Sequence, residues 1–128
     1  MRFLNTLVDV AVKEAVKSEY KIKLGAVIFS GNRILSTGYN EAHRSVRRLH
    51  PRFQNYKGSV HAEVAAILKA KTCLRRKKLL VVRYSPVTKR FLLAKPCNLC
   101  LSYISYVGIR KIYYSINEYP FIKEYRGE

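Results

Sequence analysis

Acidic residues are scarce in this chain of 128: eight Asp and Glu stand against twenty-five Lys and Arg, for a net charge of +17. So large an excess points to a polyanionic partner, most simply single-stranded DNA or RNA. The plainer reading is a lysine-rich composition without functional meaning, which leaves a free nucleotide as the partner. The shortage is sharpest between Ala42 and Asn117, where seventeen Lys or Arg residues accompany a single acid, Glu63. Long apolar runs are missing as well, which excludes a membrane-spanning helix as an expectation. The stretch from Met1 to Asp9 has polar residues inside any would-be hydrophobic segment and no cleavage site, so no signal peptide is read. Cysteine is limited to three, too few for a disulfide framework, and two of them form a C-x-x-C. Reduced thiols in an intracellular compartment, cytoplasm or nucleus, are expected.

What is present suffices for one domain over residues 1–128. An apolar fraction of 48% can build a core at this length. Leu4, Leu7, Val8, Ala11, Val12 and Ala15 recur at helical spacing, predicting an amphipathic helix from about Leu4 to Lys17. Gly25 to Ser30 reads as a buried strand. Gly31-Asn32 is a two-residue turn, and Arg33 to Asn40 returns antiparallel.

Glu41 to Ser59 has no clean periodicity. It carries Arg44, Arg47, Arg48, Arg52 and Lys57 with Phe53 and Tyr56 among them, a mixture suited to phosphate contact and base stacking. A solvated basic loop with two anchoring aromatics is the equal alternative. A second helix is predicted from Val60 to about Thr72, and Leu79 to Tyr84 is a buried strand. A turn over 85–90 leads to a short returning segment, Phe91 to Ala94. Pro96 suits the first turn of a helix running from Cys97 to Val107, with Gly108 as its cap. Ile109 to Ser115 is the last strand, and the dozen or so residues left are too few for a further strand plus a full helix. The order α-β-β-α-β-α-β implies a mixed sheet with helices on its faces.

Two short motifs carry the chemistry. His61-Ala62-Glu63 and Pro96-Cys97-Asn98-Leu99-Cys100 together make an H-x-E…P-C-x-x-C pattern. Imidazole and thiolate suit zinc, and three ligands (His61, Cys97, Cys100) leave a fourth tetrahedral position open. C-x-x-C alone could equally be a redox pair or half of a structural site; the histidine, glutamate and proline add the specificity. Cys73 is the obvious candidate to close the site. Twelve residues beyond His61 on one continuous helix it would lie about 18 Å away, so it is expected to be a buried structural cysteine, with water at the metal. Zinc lowers the pKa of such a water, and Glu63 could take its proton and pass it to a leaving group. Regular helical spacing, however, places His61 and Glu63 on different sides.

On these motifs the chain resembles the cytidine and deoxycytidylate deaminase superfamily, from about Gly25 to Ser115. The resemblance implies a three-layer α/β/α cytidine-deaminase-like fold with a mixed sheet of four to five strands. It implies Zn2+ held by His61, Cys97 and Cys100, and proton transfer by Glu63. The attack would fall on C4 of cytosine or C6 of adenine, expelling ammonia. It also implies that Asn40 hydrogen-bonds the nucleoside and that the Ala62 backbone N–H holds the base carbonyl. Pro96 to Cys100 and Gly108 to Tyr114 look most like the deoxycytidylate and polynucleotide deaminase branch. The hairpin from Tyr84 to Ala94 and the short C-terminus depart from the family pattern. The leading expectation is a zinc hydrolase converting cytosine to uracil in single-stranded nucleic acid. The rivals are a free deoxycytidylate or cytidine deaminase, a tRNA adenosine deaminase, and a non-catalytic zinc-containing nucleic-acid-binding protein.

Overall fold

The computed structural model describes residues 2–42, 59–70, 72–96, 98–118 and 120–125. The elements run α1 (Arg2–Ala15), β1 (Leu24–Ser30), β2 (Arg33–Tyr39), β3 (Glu41–Ala42), β4 (Ser59–Val60), α2 (Ala62–Lys69), β5 (Lys78–Ser85), β6 (Arg90–Leu92), α3 (Asn98–Val107), β7 (Lys111–Ser115) and β8 (Ile122–Glu124). The main sheet has six strands in the order β2-β1-β5-β7-β8, with β6 also paired to β5. Among the described strand pairs only β5 and β7 are parallel, as the crossover through α3 requires.

The alternation of strand side chains divides the core in two. Leu79 and Val81 of β5 face one side with Val64, Ile67, Cys100 and Ile104 of α2 and α3. Leu80 and Val82 face the other with Leu7 and Ala11 of α1. The molecule is therefore a three-layer α/β/α sandwich, as the family resemblance implies. The sheet is one strand larger than four to five. The additional strand is β8, which the last residues supply by pairing antiparallel to β7 from Ser115↔Ile122 to Tyr113↔Glu124.

Local chemistry explains the joints. The turn after β1 closes Ser30↔Arg33, and its first residue, Gly31, has φ +56°, a conformation that glycine adopts without cost. At the end of α3, Gly108 has φ +86°, and Ile109 N–H donates to the Ile104 carbonyl. That pairing is the Schellman cap expected from the sequence. Gly38 on β2 allows α2 to lie directly on the sheet. A Cβ there would stand 2.4 Å from Ala66 N and 2.9 Å from Ala62 O. Ser36, two residues earlier on the same face, donates its hydroxyl to the Ala66 carbonyl at 2.7 Å.

Candidate active site

His61 falls between a strand and a helix. β4 ends at Val60, and its pairing Glu41↔Val60 with β3 sets Asn40 and His61 side by side, where both line one cavity. His61 is the N-cap residue of α2, with extended backbone (φ −68°, ψ 155°) and no side-chain capping hydrogen bond. Its carbonyl starts the helix by accepting from Ala65 N–H at 2.9 Å. The ring points elsewhere: His61 Nδ1 lies 3.0 Å from Cys100 Sγ. Cys100 is fully buried in the first turn of α3. Two elements distant in sequence thus bring an imidazole nitrogen and a thiol sulfur together.

Glu63 is in the first turn of α2 and only 3% exposed. Regular helical spacing would separate it from His61, but His61 precedes the helix in extended conformation and its side chain is free of that geometry. Both residues line one cavity of 160 Å³, together with Arg83, Ala94 and Lys95. One Glu63 oxygen, Oε1, is buried there and accepts no hydrogen bond among the described residues. A second cavity of 350 Å³, within the size range of small-molecule sites, is lined by Tyr20, Lys21, Asn40 and His61. Ile22, Leu24 and His61 belong to both.

Asn40 braces the wall of this space. Its Nδ2 donates to the Ile22 carbonyl at 2.7 Å, and its Oδ1 accepts from Leu24 N–H at 3.0 Å. The Ser18 hydroxyl donates to its carbonyl at 2.9 Å. A side-chain amide has two donors and two acceptor lone pairs, and these two bonds use one of each among the described residues. Ser115, which nothing in the sequence singles out, fixes the opposite wall. Its hydroxyl donates to the Leu92 carbonyl at 2.6 Å and accepts from Arg83 N–H at 2.9 Å. Its carbonyl accepts from Ala94 N–H at 3.0 Å. This serine sits where β6 and β7 leave β5, and it holds the segment that leads into Pro96 and the C-x-x-C helix. Its complete burial is seen only in the fold, and the sequence offers no signal for it.

The donor set suits zinc: one imidazole and one thiol converge, and both are borderline-to-soft ligands of the kind that ion takes. Cys97 lies outside the described residues. Among the described residues no three His, Cys, Asp or Glu side chains form a group able to hold a metal, so Cys73 does not join His61 and Cys100. The reason differs from the one expected. The helix stops at Lys69, where Ala70 turns extended (φ −69°, ψ 135°), rather than continuing to Thr72. Cys73 follows beyond the far end of α2 and is exposed, not buried. Arg44, Arg47, Arg48, Arg52, Phe53, Tyr56 and Lys57 also lie outside the described residues.

Comparison with known proteins adds the decisive observation. The family model for the cytidine and deoxycytidylate deaminase zinc-binding region matches residues 1–116. The chain belongs to this family. A search of curated protein sequences returns no significant match. Among solved structures, the dCMP deaminase of cyanophage S-TIM5 in complex with dCMP and dUMP is similar, with a TM-score of 0.66 at 19% identity, over 91% of this chain and 83% of that one. A structure from a study of A-to-I editing by tRNA:A34 deaminases gives 0.55 at 21% identity, over 92% and 80%. The deaminase/reductase of Thermotoga maritima acting on diaminohydroxyphosphoribosylaminopyrimidine gives 0.52 at 22%, over 93% of this chain and 30% of that one. At such identities these similarities establish the fold. Membership of the deaminase family makes the chain a zinc-type hydrolytic deaminase, and no helix among its described residues is long and apolar enough to cross a membrane.

Proposed function

We propose that the protein converts cytosine to uracil by hydrolysis, acting on cytosine within single-stranded nucleic acid. The observation that carries the chemistry is the 3.0 Å approach of His61 Nδ1 to Cys100 Sγ beside a buried Glu63 that lines the same cavity as the histidine. His61 and Cys100, with Cys97, would hold zinc. When bound, zinc supplies Lewis acidity that makes water a nucleophile near neutral pH.

The chain's own residues do the remaining work. The Ala62 N–H, at the start of α2, holds the base carbonyl, using a donor that the helix leaves unpaired. Asn40 offers its remaining amide donor and acceptor to the nucleoside. The Glu63 carboxylate takes the proton of the attacking water and delivers it to the amino group on C4. A carbon–oxygen bond forms at C4, the carbon–nitrogen bond breaks, and ammonia leaves. The apolar walls Ile22 and Leu24 limit competing water.

The net charge of +17 supports a polymer, since one nucleotide phosphate needs few cations. Hydrolysis of a free deoxycytidylate is the second reading. It is favoured by the two cations, Arg83 and Lys95, that line the cavity of His61 and Glu63. Glu63→Gln tests the shared chemistry. Turnover should fall by about 10²–10⁴-fold while one equivalent of zinc is retained. Full turnover in a zinc-loaded Glu63→Gln protein would remove Glu63 from the reaction.

A further inference from the structure

Along β5 the side chains alternate between the two core layers: Leu79 and Val81 pack toward α2 and α3, Leu80 and Val82 toward α1. Arg83 continues the first row. An arginine therefore stands where this strand face would otherwise carry another aliphatic residue, at the C-terminal end of a strand whose parallel neighbour is β7. Ligands of open α/β sheets collect at such ends.

Its surroundings are specific. Arg83 pairs with Leu24 across the β1–β5 ladder, and its backbone N–H is held by the Ser115 hydroxyl at 2.9 Å. The side chain lines the cavity of His61 and Glu63. Among the described residues its buried Nε has no hydrogen-bond partner and no carboxylate pairs with the guanidinium. Lys95 lines the same cavity, with its ammonium 5.6 Å from the centre of the Tyr125 ring. A buried N–H left without an acceptor is costly, and a guanidinium presents a rigid fork of donors that matches the oxygens of a phosphate two at a time.

We propose that Arg83, supported by Lys95, binds the phosphate of the nucleotide whose base is deaminated. This specificity-determining residue makes the substrate a nucleotide, free or within a strand, rather than a nucleoside or a base. The inference rests on the deaminase reading above and deepens it by naming what recognises the substrate next to the reacting centre.

The test is a binding measurement in the Glu63→Gln background, which separates recognition from turnover. Dissociation constants are measured for deoxycytidine, dCMP and a short cytosine-containing oligonucleotide, with Arg83 intact, as Arg83→Gln and as Arg83→Lys. Loss of a charge-assisted, two-point contact should weaken dCMP or the oligonucleotide by roughly ten- to a hundredfold more than deoxycytidine. Arg83→Lys should recover part of that loss. The ligand that suffers more identifies a terminal phosphate or a phosphodiester as the group bound. With Arg83 intact, inorganic phosphate should compete with dCMP and leave deoxycytidine binding unaffected, a result that needs no substituted arginine to fold. Equal weakening of all three ligands, or no competition by phosphate, overturns the assignment. A protein that binds dCMP through Arg83 but deaminates nothing when Glu63 is present would instead defeat the deaminase reading alone.

Discussion

His61 and Asn40 show how a single residue can serve both the fold and the site. His61 follows a strand, caps a helix without using its side chain for that purpose, and so leaves its ring for Cys100. Asn40 makes the adjoining wall: with Ile22 and Leu24 it converts the segment after α1 into a fixed side of the cavity. Asn40→Ala would leave the Leu24 N–H and the Ile22 carbonyl without these partners. The expected cost is roughly 2–4 kcal/mol, read by denaturant unfolding, and substrate affinity should fall with it. A change under about 0.5 kcal/mol would mean that water replaces the amide at no loss. The candidate site could be picked out of the sequence because ligand chemistry restricts residue type: a His-x-Glu and a Pro-Cys-x-x-Cys have few other uses together, and the fold brings His61 and Cys100 within 3.0 Å. Arg83 could not be, because it follows four apolar residues, Leu79 to Val82, and reads as the polar end of a strand. Only the two-residue alternation combined with the position of α2 reveals that it faces His61 and Glu63.

At the scale of elements, the placement of α2 decides the site. Gly38 and Ser36 on β2 bring the helix backbone against the sheet, and the paired β3 and β4 set its N-cap residue, His61, beside Asn40. Gly38→Ala should force α2 away from β2, because its Cβ would meet Ala66 N at 2.4 Å and Ala62 O at 2.9 Å. We expect a destabilisation of about 3 kcal/mol and weaker zinc binding, since His61 moves with the helix. A Gly38→Ala protein with unchanged melting temperature and zinc affinity would show that α2 is not seated as described. The hairpin of β1 and β2 and helix α3 were readable from Gly31-Asn32 and from Pro96 with Gly108, where backbone chemistry leaves little choice. The end of α2 was not. Ala70, Lys71 and Thr72 continue a plausible helical pattern in the sequence, yet Ala70 is already extended and the helix ends at Lys69. β8 is likewise too short to announce itself, and it exists because β7 offers an edge.

At the scale of the whole molecule, the three-layer sandwich presents His61, Glu63 and Cys100 at one end of the sheet on a strongly cationic protein. The positive charge predicts that oligonucleotide affinity falls at least roughly tenfold between about 50 and 200 mM salt, as counterion release requires. Titration with a cytosine-containing single strand would measure it, and a salt-independent affinity would turn the substrate toward free nucleotides. The measurement closest to the central claim is base conversion by the intact, zinc-loaded protein, offered dCMP, single-stranded DNA and RNA side by side. Release of ammonia with conversion of cytosine to uracil, strongest in a single-stranded polymer, is the predicted result. A zinc-loaded protein that leaves cytosine unchanged in all three, or that converts only adenosine to inosine in the RNA, would contradict it.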